Sequence, residues 1–122
     1  MPSEYPFVFE LPQNSTLESI LGDTPKGAVI LSFYANWCAP CKSIKPRIAK
    51  RAEQEVKGTN EQKPRVIRVN LDHHSELADK FNVFSIPCMV LLKDGRPVAY
   101  VQPSDHQSID EFFMKAEDIG YS

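Results

Sequence analysis

Two cysteines separated by two residues, Cys38 and Cys41, are the side chains of this 122-residue sequence whose type and spacing most directly indicate chemistry. They follow an apolar run and open a helical pattern. On a first helical turn this spacing brings the sulfurs close enough for a disulfide. The unpaired N–H groups of the turn and the helix dipole favour a thiolate at Cys38. Cys41 lies one turn further into the helix and should be more buried and stay protonated longer, which suits the thiol that attacks second.

A CxxC pair can also be half of a zinc site, which needs two further ligands. The remaining soft candidates form no second pair at zinc-site spacing; they are Cys88, His73, His74 and His106. A helix start directly after a buried strand is also an unusual setting for such a site. The pair therefore predicts redox chemistry and no bound metal.

Length and composition restrict the setting of this chemistry. The chain suits one domain, residues 1–122, with enough apolar sequence for a core. A net charge of −2 gives no reason to expect binding to nucleic acid or to an anionic membrane. The apolar runs are strand-sized and no signal segment is visible. Three cysteines are too few for a disulfide scaffold. We expect a monomer in a reducing compartment, the cytoplasm.

The elements that must position the pair follow from periodicity and turn residues. They alternate in the order β-α-β-α-β-α-β-β-α, which predicts an α/β fold with a mixed sheet and helices on both faces. Asp94-Gly95 between two apolar runs predicts a hairpin. The predicted strands are 7–11, 28–34, 66–71, 89–92 and 97–101. The predicted helices are 17–21, a second helix that begins at the cysteine pair and ends at 57, 75–81 and 108–119. We expect the second helix to kink at Pro46 and Ser75 to cap the third, and a polar loop covers 58–64.

With these elements in place, the sequence resembles the thioredoxin family over roughly residues 25–119, while residues 1–24 supply an N-terminal strand and helix. The resemblance lies in short motifs: FYANWCAPCK at 33–42, Pro46, VNLD at 69–72, FSIP at 84–87 and KDG at 93–95. It implies a thioredoxin fold and a thiol–disulfide oxidoreductase. Cys38 would attack a substrate disulfide and Cys41 would resolve the mixed disulfide.

The resemblance also implies how partners and electrons reach the pair. From the residues alone the Ile86–Pro87 bond could be cis or trans; the family implies a cis bond beside the sulfurs. Substrate would dock on Trp37, Ile86 and Pro87, within an apolar collar that includes Ala39 and Pro40. The family implies no bound cofactor and electrons from NADPH through a separate thioredoxin reductase. Substrates would be disulfide-containing proteins such as peroxidases or reductases.

Two departures from the family pattern concern redox tuning. Ala39-Pro40 replaces the usual glycine-proline, and we expect a modest change in redox poise. Ser32 occupies the position of a buried aspartate that helps to move the proton of the resolving thiol, and Arg68 the position of its partner lysine. Because a hydroxyl is not a base near neutral pH, we expect slower turnover.

Other departures leave alternatives open. Cys88, where the family commonly has threonine, is either a small buried hydrophobe or a functional thiol close to the pair, as a regulatory thiol or as a third ligand for a metal or iron–sulfur cluster. The basic residues of the second helix either form a solvated face or steer acidic partners; they are Lys42, Lys45, Arg47, Lys50 and Arg51. Gln102-Pro103 stands where the family often has small residues beside the groove.

Two other functions remain as alternatives to a reductase. Absence of the buried acid is compatible with a non-catalytic thioredoxin-fold adaptor, although both cysteines argue against it. A disulfide oxidase or isomerase would usually carry a signal segment and often a histidine between the cysteines, and neither is seen.

Overall fold

The order of elements follows the alternation of apolar strand runs and helical patterns. The computed structural model describes residues 8–23, 25–56 and 66–120. Over these residues the predicted order β-α-β-α-β-α-β-β-α is confirmed. The elements are β1 (Val8–Glu10), α1 (Leu17–Leu21), β2 (Ala28–Tyr34), α2 (Ala39–Val56), β3 (Val66–Asn70), α3 (Ser75–Lys80), β4 (Cys88–Lys93), β5 (Arg96–Val101) and α4 (His106–Ile119).

The strands form one mixed sheet in the order β1-β3-β2-β4-β5. Strand β2 lies at its centre, parallel to β3 and antiparallel to β4, which explains why its sequence is almost continuously apolar. The predicted hairpin joins β4 to β5, and both of its turn residues have positive φ, 51° at Asp94 and 84° at Gly95. The sheet thereby brings the end of β2, the start of β4 and the first turn of α2 to one region.

Buried side chains alternate between the two faces of the sheet. Ala28 and Ile30 of β2 pack with α2 and α4, and Phe113 is fully buried in that cluster. Leu31 and Phe33, one residue out of phase, pack with α1 and α3. The alternation places Ser32 on the α2 face, since it follows Ala28 and Ile30 at a spacing of two residues.

Helix starts differ from the sequence predictions. Helix α4 begins at His106 because Asp105 caps it: Asp105 Oδ1 accepts a hydrogen bond from the Ser108 N–H at 2.8 Å. The prediction that Ser75 caps α3 is wrong, since Ser75 is the first helical residue and His74 holds the cap position without a side-chain bond to the helix. Pro46 lies inside α2. The predicted loop at 58–64 lies outside the described residues.

Candidate active site

The cysteine pair is joined as a disulfide at the start of α2, with 5.3 Å between its Cα atoms. Cys38 directly precedes the helix, and its Sγ accepts a hydrogen bond from the Cys41 N–H at 3.3 Å. The sulfur thus occupies the place of an N-cap side chain, which satisfies one of the free amide donors of the first turn. The same donor and the dipole favour negative charge on Cys38 after the disulfide is reduced.

Burial distinguishes the two cysteines less than the sequence analysis expects. Cys38 is 5% exposed and Cys41 3%, and both pack with Ala35. The expectation of an exposed Cys38 sulfur within its collar is therefore not met in this disulfide form. Neither sulfur is exposed because Ala35 and the partly buried Tyr34 and Ile86 pack against the pair. What distinguishes Cys38 is its hydrogen bond at the end of the helix.

The predicted collar residues surround this disulfide. Ala39 and Pro40 are exposed, and Ile86 and Pro87 are half-buried. Ile86 packs against the cysteine cluster, and the Ile86–Pro87 bond is cis, as the resemblance implies. Trp37 is 68% exposed. An exposed indole beside a reactive sulfur indicates where a partner docks.

Trp37 is fixed by groups that the sequence analysis assigned no role. Its Nε1–H donates to Asp72 Oδ2 at 3.1 Å. Asp72 is held by the buried Asn70, whose Oδ1 accepts the Asp72 N–H at 2.9 Å. The VNLD motif therefore orients the indole through two hydrogen bonds, and the polar ending of an apolar strand is the signal that marks these residues.

A narrow slot lies behind Cys41, between α2 and the sheet. Ser32, Lys45 and Arg68 provide its polar wall, and Tyr34 and Pro87 also line it. Its volume of ≈ 10 Å³ is about enough for one water molecule. The structure thus brings the predicted tuning residues Ser32 and Arg68 to Cys41, and no carboxylate lines this slot among the described residues.

A carboxylate that binds two residues of the slot wall belongs to Glu10 on β1. Glu10, Arg68 and Ser32 are register partners across β1, β3 and β2. Arg68 Nη1 donates to Glu10 Oε1 at 3.1 Å, and its guanidinium stacks 3.7 Å from the centroid of the Tyr34 ring. The Tyr34 hydroxyl donates to Glu10 Oε2 at 2.6 Å. The sequence analysis missed Glu10 and Tyr34, although a charged residue in step with the buried Val8 was a usable signal.

This cluster gives a prediction for alkaline pH. Burial and the hydrogen bond to Glu10 raise the pKa of Tyr34 from 10.0 to about 12. Because the folded state holds the proton more tightly, the stability contributed by Tyr34 is fully present below pH 10.0 and is lost as pH rises through about 12. We expect a late tyrosinate absorbance change that Tyr34→Phe removes. Tyr100→Phe, the control, should retain it; a titration unaltered by Tyr34→Phe would refute the assignment.

Cys88 is the free thiol at the start of β4. It packs with Phe33 and the side chains of the α3 face, whereas Cys38 and Cys41 pack with Ala35. It is 7% exposed, and burial raises the pKa of its thiol. These features favour the small-hydrophobe interpretation over a regulatory thiol.

A groove beside the disulfide, here called the disulfide groove, has a volume of ≈ 510 Å³. Its walls are Pro40, Ile86 and Pro87 on one side and the loop after β5 on the other. Gln102 of that loop donates a hydrogen bond from Nε2 to Ser85 Oγ, which ties the loop to the segment before Pro87. The neighbouring Pro103 is buried. The departure from small residues noted in the sequence therefore forms one end of the groove.

The basic residues of α2 are not one solvated face. Arg51 binds α4 through Asp110 at 3.1 Å and Glu117 at 2.9 Å. Lys45 lines the slot, while Lys42, Arg47 and Lys50 are exposed. Within the described ranges, no group of three or more His, Cys, Asp or Glu side chains could hold a metal ion, and no helix is long and apolar enough to cross a bilayer.

A disulfide at the first turn of a helix, beside a cis proline at the start of a strand, defines a thiol–disulfide oxidoreductase of the α/β class. The family model described as Thioredoxin matches residues 9–115. The chain belongs to the thioredoxin family. It is a thioredoxin-type protein-disulfide reductase whose redox pair is Cys38 and Cys41.

Individual relatives agree with this assignment. The chain is 36% identical to a thioredoxin of Bacillus subtilis over 84 residues, which cover 69% of this chain and 76% of the relative. A thioredoxin structure from Schistosoma mansoni matches with a TM-score of 0.73 at 28% identity, covering 89% of this chain and 97% of the other. A structure of a ferredoxin:thioredoxin reductase and thioredoxin f2 complex matches with a TM-score of 0.72 at 22% identity, covering 90% and 94%; at that identity the likeness concerns the fold alone.

Proposed function

We propose that Cys38 is the attacking thiolate, that Cys41 resolves, and that NADPH supplies the electrons through a separate flavoprotein thioredoxin reductase. The observation that carries the assignment of roles is the hydrogen bond from the Cys41 N–H to Cys38 Sγ at the helix start. It offers a preorganised donor to charge on Cys38, and among the described residues no hydrogen bond to Cys41 Sγ is seen.

The reaction follows as two exchanges. The Cys38 thiolate attacks one sulfur of a substrate disulfide, so that an S–S bond to Cys38 forms and the other substrate sulfur leaves as a thiolate. Cys41 then loses its proton and attacks Cys38 Sγ, which releases the second substrate sulfur and closes the Cys38–Cys41 disulfide. The substrate gains two electrons and takes two protons from the chain and solvent.

The source of the electrons lies outside this chain in the proposal. Thioredoxins typically carry no bound cofactor. A structural relative was crystallised with a ferredoxin:thioredoxin reductase, which makes a ferredoxin-dependent enzyme the alternative donor. We propose peroxidases and reductases that regenerate through thiols as substrates, and the cytoplasm as the compartment, since three cysteines suit a reducing environment.

Insulin reduction tests this function. With dithiothreitol as donor, the chain should accelerate the turbidity that follows release of the insulin B chain. With NADPH and a flavoprotein reductase in place of dithiothreitol, NADPH should be oxidised in proportion to the insulin disulfides that are reduced. Insulin reduction that requires a ferredoxin-dependent reductase in place of the flavoprotein would reject the proposed electron donor. No acceleration of insulin reduction with any donor would reject the proposal that this chain reduces protein disulfides.

Deprotonation of Cys41 is proposed as the slow point of the cycle. The slot offers Ser32 and two cationic residues but no lining carboxylate among the described residues, so the proton must leave through water. Ser32→Asp would supply a base in the slot, and we expect a severalfold rise in the steady-state rate near neutral pH. The control is Ser32→Asn, because asparagine is similar in size to aspartate but does not ionise. Equal rates for the two variants would show that this base is not limiting.

A further inference from the structure

A second groove lies next to the disulfide groove and has no assigned role. This groove, here called the side groove, has a volume of ≈ 270 Å³. Phe84, Cys88, Tyr100 and Val101 line it together with the polar Asn82, Ser85 and Gln102, and none of the residues in its wall is charged. A charged side chain would lose its hydration there without gaining a partner, whereas the two aromatic rings offer contact area to an apolar side chain.

The two grooves are adjacent. Ser85 and Gln102 line both, and the hydrogen bond from Gln102 to Ser85 marks the boundary between them. Phe84 precedes Pro87 of the disulfide groove by three residues, so the two side chains are joined by at most about 11 Å of backbone. A substrate segment of about three extended residues can therefore span from one groove to the other.

The rim of the side groove is both exposed and held in place. Phe84 is 88% exposed, the largest exposed fraction among the big apolar side chains of the described residues. In the same groove, the Tyr100 hydroxyl donates to the Phe81 carbonyl oxygen at 2.7 Å, which fixes the Tyr100 ring while leaving it 47% exposed. A fixed ring and an exposed ring that line one uncharged groove are typical of a site that is completed by a partner's side chain.

We propose that the side groove binds an apolar side chain of the substrate protein, about three residues along an extended segment from the cysteine that Cys38 attacks. The inference rests on the proposed attack by Cys38, because it is the attacked sulfur that anchors the segment in the disulfide groove. The side groove then selects among disulfides by their sequence context. Its contribution belongs to binding and not to the exchange itself.

The test compares two substrates, each a dimer of one short peptide joined by a disulfide between its two copies. The peptide of one substrate carries phenylalanine three residues from the cysteine, and the peptide of the other carries serine at that position. Wild-type protein should reduce the phenylalanine peptide with about tenfold higher kcat/KM, the difference lying in KM. Phe84→Ala should abolish the preference and Phe84→Leu should retain part of it. Met114→Ala, which truncates another exposed apolar side chain, on α4, should leave it intact.

A small disulfide separates failure of the groove from failure of the function. Oxidised glutathione is too small to reach both grooves, so all four proteins should reduce it at equal rates. Equal rates with glutathione but no peptide preference, or a preference that survives Phe84→Ala, would overturn the side-groove proposal alone. Inactivity of the wild type toward every disulfide would overturn the proposed attack by Cys38, and this inference with it. A dimer that dissociates on Phe84→Ala would assign the groove to self-association instead and overturn the proposal.

Discussion

Cys41→Ser is expected to stop turnover after one attack and to leave the substrate covalently joined to Cys38. The reason is that, in the part of the chain that the structure describes, Cys41 is the cysteine that lies beside Cys38 at the start of α2, where its sulfur can displace the substrate. Steady-state insulin reduction should fall by at least about a thousandfold, as expected when one member of a catalytic unit is removed. Mass spectrometry of the intact protein should show the mixed disulfide.

Two matched variants control this experiment. Cys38→Ser should show the same loss of turnover without any trapped substrate, because the attacking sulfur is gone. The double variant Cys41→Ser, Cys88→Ala should trap as much substrate as Cys41→Ser, since Cys88 is buried in a different cluster from the pair. Trapping by Cys38→Ser would contradict the assignment of Cys38 as the attacking thiolate. Substrate found on Cys88 would contradict the interpretation of Cys88 as an unreactive buried thiol.

The largest expected effect on stability comes from Phe113→Ala. Phe113 is fully buried between α4, α2 and the sheet, so truncation leaves a cavity as well as removing apolar burial. We expect a loss of about 3–5 kcal/mol in the free energy of unfolding, measured by urea denaturation of the oxidised protein. Both proteins should be compared in the same redox state.

The next residue on the same helix provides the control. Met114 is 56% exposed, and Met114→Ala should change the free energy of unfolding by less than about 0.5 kcal/mol. Because the helix propensities of Phe and Met differ by only about a few tenths of a kcal/mol, a difference of several kcal/mol between the two variants reports burial. A similar loss for both variants would mean that α4 does not pack as described.

Local pattern predicted the fold well, because each element carries its own signal. The apolar run at 28–34 specified a central strand, and Asp94-Gly95 specified a turn whose two residues both require positive φ. Helix ends were predicted less well. Ser75 looked like a cap by type, but whether a hydroxyl caps a helix depends on the backbone around it, and at α4 the reciprocal bonds of Asp105 and Ser108 decided the start.

The residues of the site that are close in sequence were predicted. Those that meet only through the pairing of distant strands were missed. Cys38 and Cys41 are three residues apart, so their proximity follows from helix geometry alone. Glu10 reaches Arg68 only because β1 pairs with β3, and Gln102 reaches Ser85 only because β5 lies beside β4. No spacing in the sequence encodes these pairings, since strand order is set by how whole elements pack.

The position of Trp37 makes the molecule its own optical reporter. The chain contains one tryptophan, and that indole stands beside the disulfide and donates to Asp72. Tryptophan fluorescence of the whole protein therefore originates at the redox site, with no background from the core. Reduction of the disulfide and docking of a peptide both alter the surroundings of this single fluorophore, so each can be followed in real time without attaching a label.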